Sequence, residues 1–130
     1  MYQHILVAID DNETSRLALD EAFALAKLHN APLDIVHAVD KSLVQAFSTR
    51  GTTPQNVRQL EQTLLDKGQT ILAEATALAE AAGVAATPRL LASHDCDCVE
   101  QVCQAIEETG ADLLVVGSHG RRGLRRLLLG

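Results

Sequence analysis

The sequence predicts one open α/β sheet, parallel and doubly wound, and three observations predict it. Four short stretches of strand length alternate with stretches of helix length, the first of them rich in Ala and Leu. Alternation at this spacing implies parallel strands joined by right-handed helical crossovers. Two of the strand stretches, 5–9 and 112–116, are near-continuously apolar, which fits a sheet covered on both faces. At 130 residues the chain suits a single domain, 1–130, with a real core.

The elements follow in order. Residues 4–9 read as a buried strand, closed by the polar run Asp10-Asp11-Asn12-Glu13. A helix is expected over 14–29, with Ala18, Ala22, Leu25 and His29 near one face. Asn12 or Thr14 can cap it, and Glu13 and Arg16 suit its first turn. Asn30-Ala31-Pro32 ends it, and 33–39 form the second strand. Residues 40–54 read as one long irregular stretch ending in Gly51-Thr52-Thr53-Pro54. A long helix is expected over 55–82, with Val57, Leu60, Leu64, Ile71 and Leu72 among its apolar positions and Gly83 as its stop. Residues 86–92 are the third strand, 97–109 a helix stopped by Gly110, and 112–116 the fourth strand. Leu124 to Gly130 begins an amphipathic helix and stops. That leaves an edge strand and an apolar helix face to be covered by residues beyond 130 or by a partner chain.

Composition removes several function classes. Eleven Lys and Arg against seventeen Asp and Glu give a net charge of −6. An acidic chain lacks the electrostatic footprint of a nucleic-acid binder. Tyr2, Phe23 and Phe47 are the aromatic residues, too few for base-stacking platforms. No apolar run approaches the ~20 residues of a membrane span. The N-terminus has no basic segment ahead of an apolar one, so a secretion signal is not expected and the cytoplasm is the default location. Cys96, Cys98 and Cys103 are odd in number, which argues against a disulfide framework.

The segment richest in chemistry is Leu113-Leu114-Val115-Val116-Gly117-Ser118-His119-Gly120, followed nine residues later by Gly130. An apolar strand empties into a glycine-bracketed loop, and a basic segment follows. Glycine admits close backbone approach to a ligand. Peptide N–H groups in such a loop, beside a helix N-terminus, can face an anion. The loop therefore reads as phosphate-binding. Of Arg121, Arg122, Arg125 and Arg126, the first two are placed to approach a phosphate with a bidentate fork. His119 reads as an exposed loop residue with phosphate or acid/base chemistry as its sharper alternative. Ser118 reads as shaping the loop, since no base–acid pair stands out to activate it. His37 reads as a packed, hydrogen-bonded strand residue.

Ligands of open parallel sheets sit outside the carboxyl ends of the strands, where the strand order reverses. Here that crevice lies between strands 1 and 4. Asp10, the segment Ala38-Val39-Asp40 and the Gly117–Gly120 loop all leave strands at this edge.

The residues at these exits resemble the universal stress protein family, in its nucleotide-binding form. The resemblance is carried by Ile5-Leu6-Val7-Ala8-Ile9-Asp10, by Val36-His37-Ala38-Val39-Asp40, and by the run from Gly110 to Gly120 with Leu127-Leu128-Leu129-Gly130. It covers essentially the whole chain. It implies a Rossmann-like sheet of the adenine nucleotide α-hydrolase type, which binds ATP, with Mg²⁺ accompanying the nucleotide. By position, Asp10 would meet the ribose or adenine region and the Ala38 backbone would read the adenine edge. Ala8 and Val116 would be apolar walls. Gly117, Gly120 and Gly130 would surround the phosphates and ribose. The family pattern continues with a Ser or Thr after its last glycine and with a fifth strand, through which its members commonly form homodimers. Both would fall beyond residue 130.

The function so implied is a stress-response binding or signalling module, at most a slow ATPase. Three alternatives stand beside it. The related adenine-nucleotide hydrolases use a glycine-rich loop after strand 1, whereas this chain has Asp10-Asp11-Asn12-Glu13-Thr14-Ser15. A phospho-receiver would use the Asp10-Asp11 pair and an Asp after strand 3, where Asp95 is near, but it also needs a Lys after a fifth strand. A thiol or metal sensor would use His94, Cys96, Cys98 and Cys103. The plainer reading of that cluster is a loop in which Asp95 or Asp97 caps the next helix and Cys103 is buried on its inner face.

Overall fold

A computed structural model describes residues 1–40, 42–49, 51, 53–92 and 97–117. The strands are β1 (Ile5–Ala8), β2 (Leu33–Ala38), β3 (Ala86–Leu91) and β4 (Leu113–Val116). The helices are α1 (Glu13–His29), α2 (Ser42–Thr49), α3 (Pro54–Ala81) and α4 (Cys98–Thr109). All pairings are parallel, in the order β3-β2-β1-β4. The expected α/β class and doubly wound sheet are borne out.

The helix ends follow from local chemistry. Asn12, in extended conformation, caps α1 by accepting the Ser15 N–H at 2.8 Å. Asn30 closes α1 in the left-handed region at φ 51°. Thr53 accepts the Asn56 N–H ahead of Pro54 at the start of α3, where a missing N–H costs nothing. Asp97 accepts the Glu100 N–H at 2.9 Å to cap α4, as expected, and Gly110 ends that helix at φ 73°.

One stretch differs from the sequence reading. Within 40–54, expected to be irregular, the chain forms the eight-residue α2. A helix this short is marginal in isolation. Its stability comes from packing against α3, with Val44 buried. Such a tertiary contact leaves little local signal.

The sequential strands β1, β2 and β3 step in one direction, so right-handed crossovers place α1 and α3 on the same face. The return from β3 to β4 crosses behind, which puts α4 on the other face. The side chains divide accordingly. Ile5, Val7, Leu33 and Ile35 pack with Leu19, Ala22 and Phe23 of α1 and Leu72, Ala75 and Ala79 of α3. Leu6, Ala8 and Val36 pack with Val102 and Ala105 of α4. Each fully buried Val, Leu or Ile contributes about 1.5–3 kcal/mol. The first face carries more and larger side chains, so it is the principal core. The α4 face is thinner and built partly from alanine.

Of the apolar α3 positions picked from sequence, Leu72 is buried, while Val57, Leu60, Leu64 and Ile71 are half-buried. The sheet-facing seam is instead Gly68, Leu72, Ala75 and Ala79. β3 lies at one edge, where Pro88 is tolerated because an edge strand has no second partner needing its N–H. β4 ends the described sheet on the other side and its four residues are half-buried. The expectation of full cover on both faces therefore holds for β1 and not, among the described residues, for β4.

Polar clamps fix the amino ends of the strands. The Asp112 carboxylate accepts the N–H groups of Gln3 and His4 at 3.0 Å each. These bonds hold its pKa below the ordinary carboxylate value. Buried Asp34 of β2 meets His4 Nε2 at 2.5 Å and Arg89 Nε of β3 at 3.5 Å. Among the described residues no helix is long and apolar enough to cross a membrane.

Candidate functional site

Strand order reverses at β1, which has β2 on one side and β4 on the other. The crevice at its carboxyl end is where open parallel sheets hold ligands. Register brings the sequence-predicted residues to this point. Ala8 is the partner of Val36 in β2 and of Val116 in β4. Ala38 ends β2 two positions beyond Val36. Ala8, Ala38 and Val116 all belong to the α4 face of the sheet. Ala8 is buried, whereas Ala38 and Val116 retain accessible surface. Together they make a shallow apolar floor of small side chains.

Past β1 the backbone is held from several sides. The Ile9 N–H continues the ladder to Val36 O at 2.9 Å. The Asp10 N–H donates to the buried Ser15 hydroxyl at 2.7 Å. His37 Nδ1 donates to the Ile9 carbonyl at 2.9 Å. His37 is thus packed and hydrogen-bonded, as the sequence suggested. The sequence reading missed that its partner is the carbonyl immediately before Asp10. A polar residue at an inward-facing strand position was the available signal.

Gly117 follows Val116 and is buried against the first turn of α1, backing onto Thr14. The α1 N-terminus therefore abuts the β4 exit. The positive dipole end of α1 favours an anion nearby. Ser118, His119, Gly120, Arg121, Arg122 and Gly130 lie outside the described residues.

A cavity of about 370 Å³ opens beside the same turn, on the α1 and α3 side. Of the residues that the family resemblance assigns to the nucleotide, it is lined only by Asp10. Asp11, Glu13 and Glu74 add carboxylates; Arg16 also lines the wall, and Lys67 Nζ lies 3.4 Å from the Asp11 carboxylate. Such a wall, with carboxylates in excess, is unfavourable to phosphate.

The cysteine cluster is only partly within view. His94, Asp95 and Cys96 lie outside the described residues. Cys98 opens α4, half-buried, with its thiol 3.8 Å from the Ala38 carbonyl. Cys103, expected on the inner face of α4, is exposed. Gln101, Val102 and Ala105 occupy that face instead. Among the described residues no group of three or more His, Cys, Asp or Glu is placed to hold a metal ion.

The strand order excludes a receiver, whose flavodoxin-like sheet runs 2-1-3-4-5. What remains is an open α/β domain whose strand order reverses at β1, between β2 and β4. Comparison with known proteins narrows this class. The profile of the Universal stress protein family matches residues 1–130. Universal stress protein A homolog 1 of Coxiella burnetii is 35% identical over 127 residues, covering 98% of this chain and 83% of the relative. A solved universal stress family protein from Burkholderia pseudomallei is 36% identical, with a TM-score of 0.81 over 98% of this chain and 89% of its own. A universal stress protein solved in complex with cAMP is 29% identical, with a TM-score of 0.65 over 99% of this chain and 85% of its own. The chain belongs to the universal stress protein family.

Proposed function

We propose that the chain is an adenine-nucleotide-binding module that holds ATP, with Mg²⁺ carried by the nucleotide, in the β1–β4 crevice. The observation that carries this is the register placing Ala8 beside Val116, with Ala38 on the same face. A purine ring has flat apolar faces and a polar edge. An alanine- and valine-lined floor suits its face, and backbone groups at the Ala38 exit suit its edge. The adjoining α1 N-terminus suits the phosphates, as does the glycine spacing of the sequence from Gly117. The cAMP complex of a relative 29% identical supports an adenine nucleotide as ligand class.

Within this reading Asp10 meets the ribose or adenine region, and Gly117, Ser118, His119, Gly120, Arg121, Arg122 and Gly130 belong to the phosphate and ribose side. Mg²⁺ binds phosphate oxygens and keeps several waters, so it requires no protein cage. In this reading the chain is at most a slow ATPase. Nucleotide occupancy acts as a signal by favouring one conformation of the surrounding loops. Homodimerisation belongs to the same proposal, and sedimentation with and without ATP tests it.

The test is a calorimetric titration with Mg²⁺·ATP, cAMP and GTP, repeated on Asp10→Ala. Saturable, adenine-selective binding that Asp10→Ala weakens without loss of folding supports the reading. No binding of either adenine nucleotide overturns it. Gly117→Val is a poor probe here, because crowding at Thr14 disturbs α1 whether or not a nucleotide binds.

A further inference from the structure

The peptide joining Ile9 to Asp10 is held at both polar atoms by side chains from different elements. Its carbonyl accepts from His37 Nδ1 at 2.9 Å, and its N–H donates to the Ser15 hydroxyl at 2.7 Å. Both side chains are buried, with 8% and 6% of their residue surface exposed. A carbonyl can only accept, so Nδ1 must carry the proton of the imidazole. The ring is in turn seated by α3. A Cβ on Gly68 would stand 3.0 Å from His37 Cδ2 and 2.6 Å from Leu90 Cδ1. This mid-helix glycine, costly in helix propensity by about 1 kcal/mol, leaves room for the imidazole. The ordered path runs from Gly68 to His37, to the Ile9 carbonyl and so to Asp10.

We propose that His37 is a positioning residue for the nucleotide site: its Nδ1–H, acting against the Ser15 hydroxyl, sets the peptide plane from which Asp10 leaves β1 at the edge of the β1–β4 crevice. The proposal rests on the nucleotide reading above. A peptide held by one neighbour can rotate, whereas one held at both ends cannot do so without breaking a buried bond. An unsatisfied buried carbonyl is costly, so the clamp resists opening. Preorganisation of this kind lowers the ordering cost of binding.

The experiment combines spectroscopy with affinity. In ¹⁵N-resolved imidazole spectra of the wild-type chain, His37 should carry its proton on Nδ1. His37→Leu should weaken ATP binding by about five- to tenfold, the worth of one lost hydrogen bond. His37→Asn, whose Nδ2 lies near the place of Nδ1, should restore affinity to within about twofold. Circular dichroism checks that each variant folds, and Ser15→Ala carries the affinity test if His37→Leu does not. A proton on Nε2 alone overturns the proposal. So does His37→Leu binding ATP as the wild type does, which leaves the nucleotide reading standing. Loss of affinity that His37→Asn does not restore shows a merely structural role and also overturns it. Failure of the wild-type chain to bind any adenine nucleotide overturns the nucleotide reading and this role together.

Discussion

Gly117 lies so close to Thr14 at the crevice edge that a side chain there has no room. A Cβ on Gly117 would lie 2.8 Å from Thr14 Cγ2 and 3.1 Å from both the carbonyl carbon and oxygen of Thr14. The glycine is required by the closeness of the β4 exit to α1, whatever it also offers a ligand. Gly117→Ala should therefore destabilise the free protein by about 1–3 kcal/mol, the usual cost of overpacking. Thr14→Ser removes the nearest methyl and should recover part of that loss, leaving the backbone contacts at 3.1 Å. Urea unfolding of the two single variants and the double variant measures the coupling. Additive effects would contradict the contact.

Asp112 should govern part of the acid limb of stability. Its folded pKa is depressed below 3.8 by the N–H groups of Gln3 and His4. A depressed carboxylate stabilises the fold above its unfolded pKa, and that contribution is lost as pH falls through the folded value. Asp112→Asn should flatten the stability profile in the region below about pH 4 and lower stability near neutrality. Thermal unfolding across a pH series checks this. An unchanged acid limb would count against the assignment.

Asp34 should depend unequally on its two partners. Arg89 is 41% exposed and contacts it at 3.5 Å, whereas His4 is 26% exposed and contacts it at 2.5 Å. Arg89→Met should cost less than about 1 kcal/mol, as half-solvated ion pairs do. His4→Leu should cost more, because the carboxylate then loses its shorter and better-buried partner. Chemical denaturation of the two variants compares them, and a larger loss in Arg89→Met would reverse the ranking.

Asn12 should behave as a replaceable cap. Asn12→Ala removes the acceptor for the Ser15 N–H and should cost about 1 kcal/mol. Asn12→Asp keeps an acceptor beside the positive helix end and should match or slightly exceed the wild type. Urea midpoints of the three proteins decide this, and an alanine variant as stable as the asparagine would reject the cap.

Much of this was legible in the residue order because it depends on local chemistry. Short apolar runs bounded by turn residues read as strands, and Asn12, Asp97 and Gly110 mark helix ends through hydrogen bonds and backbone angles formed within a few residues. Right-handed crossovers then fix a parallel sheet and bring Ala8, Ala38 and Val116 to one edge. Only the tertiary structure decided the relations between distant segments. It put α2 against α3, exposed Cys103, and pressed Gly117 onto Thr14. It also turned His37 toward the Ile9 carbonyl above Gly68. Propensity and periodicity report what a residue does to its own stretch of chain. Close packing between elements depends on the volumes and directions of side chains that are neighbours only after folding.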